Sequence, residues 1–83
     1  AAMIAGRGFL SRILVNKDGN LFFVDTGKML YVSACEKYVK IHTADEVHLV
    51  RDSIGRLESR LNPDNFTRVH RSYLVRIDAI KHL

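Results

Sequence analysis

Short apolar runs separated by turn residues in the early part of the chain predict β-strands. Apolar runs at 13–15 and 21–24 flank the pair Asp18-Gly19, and Asp-Gly readily adopts the positive φ angles that tight hairpins require. A second turn then leads into the run 29–34, which is rich in strand-forming residues. The pattern therefore predicts a hairpin followed closely by a third strand.

Two further strands are predicted at residues 38–43 and 47–51, where apolar and polar residues alternate. Their pairing depends on the length of the loop between them. A three-residue loop places Ile41 opposite Leu49, whereas a two-residue loop places Ile41 opposite His48 and mixes apolar with polar faces. Because a one-residue slip is costly where one face is buried, we expect the three-residue loop.

A short amphipathic helix is predicted next. Ser53 supplies an N-cap, and Ile54, Leu57 and Leu61 recur at helical spacing before Pro63 ends the segment. Such a short helix is not stable alone, so its apolar stripe is expected to pack on the sheet.

The last apolar run, residues 66–80, is too long and too interrupted for a single strand. It contains the polar cluster His70-Arg71-Ser72. A bend near Arg71 and Ser72 divides the run into two strands and places the cluster at their junction or at a loop tip, where a side chain can project away from the core.

These elements describe a mainly β domain with one short covering helix. A chain of 83 residues forms a single domain. We expect residues 1–12 to be a linker or a cloning remnant and residues 13–83 to form the domain.

Positive charge is concentrated near the end of the sequence. The chain has a formal net charge of +4 and a pI of about 9.6. Residues 66–83 hold four cationic side chains, Arg68, Arg71, Arg76 and Lys81, against one carboxylate, Asp78. This distribution favours an anionic partner, with a solvated basic surface as the simpler alternative.

Several classes of protein are disfavoured by composition and spacing. The single cysteine excludes an internal disulfide and fits a reducing cytoplasm. No apolar run is long enough to cross a membrane. His42 and His48, expected as stacked surface neighbours, are too few ligands for a zinc site, and no phosphate-binding glycine loop is present. We expect no metal and no cofactor.

Catalysis is also disfavoured. His70, Ser72 and Asp78 are the residue types of a hydrolase triad, but the sequence has no nucleophile elbow to expose the serine. We therefore expect the protein not to be an enzyme, and a hydrolase would be recognised by an activity that is lost in His70→Ala.

Two loops carry the side chains for anion recognition. One is Glu36-Lys37-Tyr38 with Lys40 nearby, and the other is the cluster around Arg71. Arginine can bind guanine through two hydrogen bonds, while lysine, serine and tyrosine suit phosphate oxygens. Double-stranded DNA fits this chemistry, although a phosphorylated peptide or a lipid surface would accept similar cations.

The blocks 29–34, 38–43 and 53–61, followed by Phe66-Thr67-Arg68-Val69-His70-Arg71-Ser72-Tyr73-Leu74-Val75, resemble the LytTR family of bacterial transcription regulators. The resemblance extends from about residue 24 to residue 83. It implies antiparallel sheets with a short amphipathic helix packed alongside. It also implies a sequence-specific DNA-binding output domain of a response regulator in a two-component system, which reads promoter repeats through loops.

The resemblance also assigns roles by position. It implies base contacts from the loop at residue 36, with Lys37 and Tyr38, and from Arg71. Phosphate contacts are expected from Arg68 and Arg76, and from Lys40 on the outward face. The implied partners are double-stranded DNA, a second copy in a homodimer and an N-terminal receiver domain.

The sequence departs from the family pattern in three places. The family often has Glu where Ser33 stands and Asn where Arg76 stands. It also continues beyond the equivalent of Leu83 with a further hairpin, so the domain is expected to be C-terminally incomplete. The alternative function is a protein-interaction or dimerisation module that does not bind DNA itself.

Overall fold

A computed structural model describes residues 4–5 and 8–80 of the chain. The β-strands in this part of the chain are β1 (Ile4–Ala5), β2 (Phe9–Leu10), β3 (Arg12–Lys17), β4 (Asn20–Asp25), β5 (Met29–Cys35), β6 (Tyr38–Thr43), β7 (Val47–Val50), β8 (Phe66–His70) and β9 (Tyr73–Arg76). The helices are α1 (Ile54–Arg60) and the single turn α2 (Ile77–Ile80), and a 3₁₀ turn spans Thr26–Lys28. The predicted mainly β class with one short helix is confirmed.

The largest sheet has five antiparallel strands in the order β7-β6-β5-β9-β8. β3 and β4 form a separate hairpin, and β1 pairs with β2. The predicted hairpin turn is confirmed, since Asp18 and Gly19 both have positive φ and connect β3 to β4. The order of the large sheet places β5 between two hairpins, β6-β7 and β9-β8.

One face of the large sheet, the inner face, forms the core with α1 and the β3-β4 hairpin. Val32, Ile41 and Leu74 are fully buried on the three central strands and lie opposite one another across the ladders. Leu57 of α1 packs into the same cluster, as does Leu10 of β2. The core therefore includes Leu10, which lies within the segment expected to be a linker, residues 1–12.

Helix α1 begins and ends as its sequence predicts. The Ser53 hydroxyl accepts a hydrogen bond from the Arg56 N–H at 3.1 Å, which satisfies one free donor of the first turn. Leu61 closes the helix with a 3.0 Å hydrogen bond from its N–H to the Leu57 carbonyl. Ile54, Leu57 and Leu61 are all buried, so the predicted packing stripe is confirmed.

The expected register of β6 with β7 is wrong by one residue. Ile41 lies opposite His48 and Lys40 opposite Leu49, so the loop has two residues, not three. The Thr43 N–H donates to the Glu46 carbonyl at 2.9 Å, and the Thr43 hydroxyl accepts from the Glu46 N–H at 3.1 Å. These bonds close the shorter turn.

The pattern predicts the wrong register because a histidine counts as a polar, surface residue in it. His48 is only 5% exposed and packs edge-on against the Phe22 ring, with ring centroids 5.4 Å apart. His42 instead points to the other face and stacks flat on Tyr31 at 3.9 Å. The expected pair of stacked surface histidines is therefore also wrong.

The predicted bend in the last apolar run is confirmed as a hairpin turn. β8 and β9 pair directly, with Arg68 opposite Leu74 and His70 opposite Tyr73, so Arg71 and Ser72 form a two-residue turn. The pairing shifts by one residue between Arg68 and His70. Such an irregularity bends the strand and increases its twist beside the turn.

The other face of the large sheet, the outer face, carries exposed apolar and aromatic side chains. They are Tyr31, Tyr38, Val47, Leu49 and Tyr73, each at least one third exposed. In the described part of the chain, no helix is long and apolar enough to cross a membrane.

Candidate nucleic-acid interface

Two turns lie side by side at one end of the large sheet. Glu36 and Lys37 connect β5 to β6, and Arg71 and Ser72 connect β8 to β9. The Ala34 N–H donates to the Ser72 carbonyl at 2.8 Å, which continues the β5-β9 ladder up to the second turn. We call residues 36–37 and 71–72 the paired turns.

Glu36 has a left-handed backbone conformation, with φ of +53°. This conformation brings Cβ close to the following carbonyl and costs about 1–2 kcal/mol for an ordinary L-residue. It allows the two-residue connection that keeps Cys35 and Tyr38 paired across the hairpin. The first turn thus stores backbone strain at a candidate binding position.

Three of the predicted contact residues belong to the β5-β6 hairpin. Lys37 is exposed in the turn itself. Tyr38 follows at the start of β6 and is 39% exposed, and Lys40 is exposed two residues further along the outer face. These side chains form a short row that leads from the turn onto the sheet.

Arg71 extends from the second turn. Its side chain is exposed and makes no hydrogen bond or ion pair with another residue in the described part of the chain. Both turns therefore present a cation to solvent at the same end of the sheet.

His70 and Ser72 support the turn. The Ser72 N–H donates to His70 Nδ1 at 3.1 Å, and the His70 ring lies 5.7 Å from the ring of Tyr73. Asp78 lies on α2, which follows the other end of β9. The three residue types of a hydrolase triad are therefore not assembled.

The Arg68 guanidinium group makes three hydrogen bonds with other residues of the domain. Its Nε donates to the His70 carbonyl at 2.8 Å, and one terminal nitrogen donates to the Arg71 carbonyl at 2.5 Å. The other terminal nitrogen lies 2.6 Å from a carboxylate oxygen of Glu58 on α1. Sequence reasoning did not identify Glu58, because nothing in the pattern links it to a residue in the next strand.

Arg76 lies at the opposite end of the sheet from the paired turns. Its guanidinium group is part-buried and donates to the carbonyl oxygens of Met29 and Thr26. The group also lies over the Phe66 ring, 5.5 Å from its centroid. The structure thus separates Arg76 from the other predicted contact residues.

The end of the sheet that holds Arg76 also carries an acidic cleft. The cleft lies between the end of β4 and the β6-β7 turn, and its charged lining residues are Asp25, Asp45, Glu46 and Lys28. The cleft lining thus has three carboxylates and one ammonium, with Arg12 3.9 Å from Asp25 at its edge. The cleft itself is therefore poorly suited to contact with phosphate.

His42 lies on the outer face, in the same strand as Lys40. Its Nε2 is 3.0 Å from the Ser33 hydroxyl, and its ring stacks on Tyr31. Burial of the imidazole, with a smaller contribution from the Lys40 charge, lowers the pKa of His42 from its ordinary value of 6.5. The histidine therefore favours its neutral form.

Comparison with known sequences identifies a family pattern over most of the chain. The sequence model of the LytTr DNA-binding domain matches residues 19–83. The CO-responsive transcriptional regulator RcoM of Rhodospirillum rubrum is 35% identical over 81 residues, which cover 98% of this chain and 34% of that protein. The sensory transduction protein LytT of Bacillus subtilis is 31% identical over 64 residues, covering 77% and 27%. The chain spans about a third or less of these relatives.

A solved structure shares the fold. A LytTr DNA-binding domain from Bacillus cereus superposes with a TM-score of 0.74 and 24% identity, covering 82% of this chain and 62% of that chain. The strand arrangement described above is therefore shared with that domain.

Replacing Glu36 tests the strain in the first turn. We expect Glu36→Gly to raise the free energy of unfolding by about 1 kcal/mol, because glycine adopts positive φ without a steric penalty. Glu36→Gln removes the charge but keeps the steric cost, so it should leave stability nearly unchanged. Urea denaturation measures both variants. A Glu36→Gly protein that is less stable than the native protein would contradict the left-handed conformation.

The lowered pKa of His42 predicts a pH-dependent stability. A histidine whose pKa is lower in the folded state binds fewer protons there, so acid favours unfolding. Stability should fall as the pH drops below about 6.5 and level off below the folded-state pKa. Urea unfolding from about pH 8 to about pH 5, compared between the native protein and His42→Gln, isolates this contribution. Identical pH profiles would exclude it.

Proposed function

The chain belongs to the LytTr DNA-binding domain family, and we propose that its paired turns contact the bases of double-stranded DNA. The observation that supports this most directly is the juxtaposition of two exposed turns, one carrying Lys37 and the other Arg71. Neither cation is neutralised by an ion pair in the described part of the chain.

The spacing of the turns suits the major groove. Adjacent strands lie about 4.8 Å apart, so the centres of two neighbouring hairpin turns are about 10 Å apart. Bases stack at about 3.4 Å per step along one strand, so turns lying along a groove reach positions about three base pairs apart. We propose that Arg71 reads a guanine, that Lys37 and Tyr38 contact bases nearby, and that Lys40 binds a phosphate.

The phosphate contacts expected from Arg68 and Arg76 compete with bonds inside the domain. Arg76 donates to two backbone carbonyls at the end of the sheet opposite the paired turns, and Arg68 is paired with Glu58. We therefore assign phosphate binding first to Lys40, and we propose that Arg76 joins β9 to the segment before β5.

In the full-length protein, we propose that the domain is the output module of a bacterial response regulator in the cytoplasm, linked to an N-terminal receiver domain. The names of the relatives as transcriptional and sensory transduction proteins support this role. The proposed function is sequence-specific binding at promoter repeats, without catalysis.

We further propose that the domain forms a homodimer on DNA through its outer face. Val47 and Leu49 are exposed apolar residues on this face of β7, the edge strand of the large sheet, and we call these two residues the patch. The patch also favours the alternative function of a protein-interaction or dimerisation module, which would bind partners without binding DNA.

The function is tested by Arg71→Ala. This variant should lose about 1–3 kcal/mol of discrimination between a duplex enriched from a random pool and a random duplex, because a bidentate guanine contact is removed. Fluorescence anisotropy at several salt concentrations measures both affinities. Binding by the native protein should weaken steeply with salt, since neutralised phosphates release counterions.

The matched control is Lys28→Ala, which removes a cation from the acidic cleft and should leave discrimination unchanged. Equal losses on both duplexes in Arg71→Ala would assign this residue to the DNA backbone. Failure of the native protein to enrich any duplex would refute the proposed function.

Sedimentation across a concentration series, with and without DNA, tests the homodimer. We expect the apparent mass to rise from 9.5 kDa towards twice that value, and Leu49→Lys should suppress the rise by placing a charge in the patch. Phe23→Lys, at an apolar residue of β4 that has a similar exposure and lines the acidic cleft, is the control. A concentration-independent monomer on DNA would contradict the dimer.

A further inference from the structure

We propose that Arg68 is a positioning residue, which orients Arg71 by fastening the β8-β9 turn to helix α1 through Glu58. This inference rests on the proposed function, because it concerns how the turn is held for base contact. It assigns Arg68 a different task from the phosphate contact that the sequence suggested.

The two carbonyls that Arg68 engages belong to the peptides on either side of the Arg71 Cα. The His70 carbonyl is part of the preceding peptide, and the Arg71 carbonyl is part of the following one. Holding both peptide planes fixes the direction of the Arg71 Cα–Cβ bond. The guanidinium of Arg68 therefore controls where the Arg71 side chain leaves the turn.

The third bond of Arg68 connects this turn to a rigid element. Arg68 lies opposite the buried Leu74, so its side chain leaves the sheet on the inner face, where α1 packs. There it meets Glu58 at 2.6 Å. Leu57 anchors α1 in the core, so the bond to Glu58 fixes the position of the turn relative to the core of the domain.

The chemistry requires arginine. A planar guanidinium presents donors in several fixed directions, so one group can serve two carbonyls and a carboxylate at once. A lysine ammonium keeps the charge but cannot reproduce this fixed geometry. Arg68→Lys therefore separates a role in positioning from a role as a positive charge.

The charge and exposure of the pair argue against phosphate contact. The Glu58 carboxylate at 2.6 Å opposes the charge of Arg68, which weakens its attraction for a phosphate. The side chains are 28% and 42% exposed, and ion pairs of such exposure add little to stability. Variants of the pair should therefore remain folded, which thermal unfolding would verify.

The test compares Arg68→Lys and Glu58→Ala on an enriched duplex and a random duplex. Both variants should lose roughly tenfold in discrimination, the size of about one weakened base contact, with an unchanged salt dependence. Asp64→Ala removes a carboxylate outside the pair and is the charge control for Glu58→Ala. Native discrimination in Arg68→Lys, or tighter binding of Glu58→Ala to both duplexes, would overturn the positioning role.

A double-mutant cycle separates positioning from general structural support. If Arg68 acts through Arg71, then Arg68→Lys should cause no further loss of discrimination in an Arg71→Ala background. Additive losses would show that Arg68 acts independently and would overturn the inference.

A measurement without DNA distinguishes failure of this inference from failure of the proposed function. Amide hydrogen exchange of Ser72, whose N–H is bonded to His70 Nδ1, should accelerate by about tenfold in Arg68→Lys, while exchange in the core strands stays constant. Unchanged exchange at the turn would refute the positioning role, whatever the protein binds. Faster exchange in a protein that enriches no duplex would support the positioning role and refute the proposed function.

Discussion

The position of β5 at the centre of the large sheet is the constraint on which the candidate interface depends. β5 pairs with β6 on one edge and with β9 on the other. The β5-β6 and β8-β9 hairpins, which are distant in sequence, therefore turn at the same end of the sheet. The buried row of Ile41, Val32 and Leu74 runs across these three strands and secures that order by apolar packing. The positions of the exposed cations in these turns are thus determined by the packing of buried apolar residues.

Much of this arrangement could be predicted because its signals are local. Asp18-Gly19 specifies a turn by its backbone preferences, Ser53 caps the helix that follows it, and the polar interruption at Arg71 marks the division of the last strands. Each signal acts within a few residues. The mainly β class and the turn that presents Arg71 follow from such signals alone.

The features that could not be predicted depend on residues far apart in sequence. Histidine counts as polar in a sequence pattern, so the pattern favours an apolar pairing over the observed register, which places His48 beside Phe22. Arg76 donates to a carbonyl 47 residues away, and Arg68 meets Glu58 across the chain reversal that follows α1. A sequence shows that an arginine is present, but the acceptors that engage it are defined only by the fold.

The acidic cleft and the paired turns give the two ends of the strands different charges. Strand β6 has six residues and rises about 3.3 Å per residue, so the paired turns and the cleft are separated by about 20 Å. This exceeds the screening length of about 8 Å at physiological ionic strength, so the charges at one end have little effect on an ion at the other end. At the cleft end, Lys28, Arg12 and Arg76 offset Asp25, Asp45 and Glu46, whereas the paired turns carry Lys37 and Arg71 against Glu36. Of the two ends, the one with the paired turns therefore attracts a polyanion more strongly, and under the proposed function this difference favours approach of the duplex from that side.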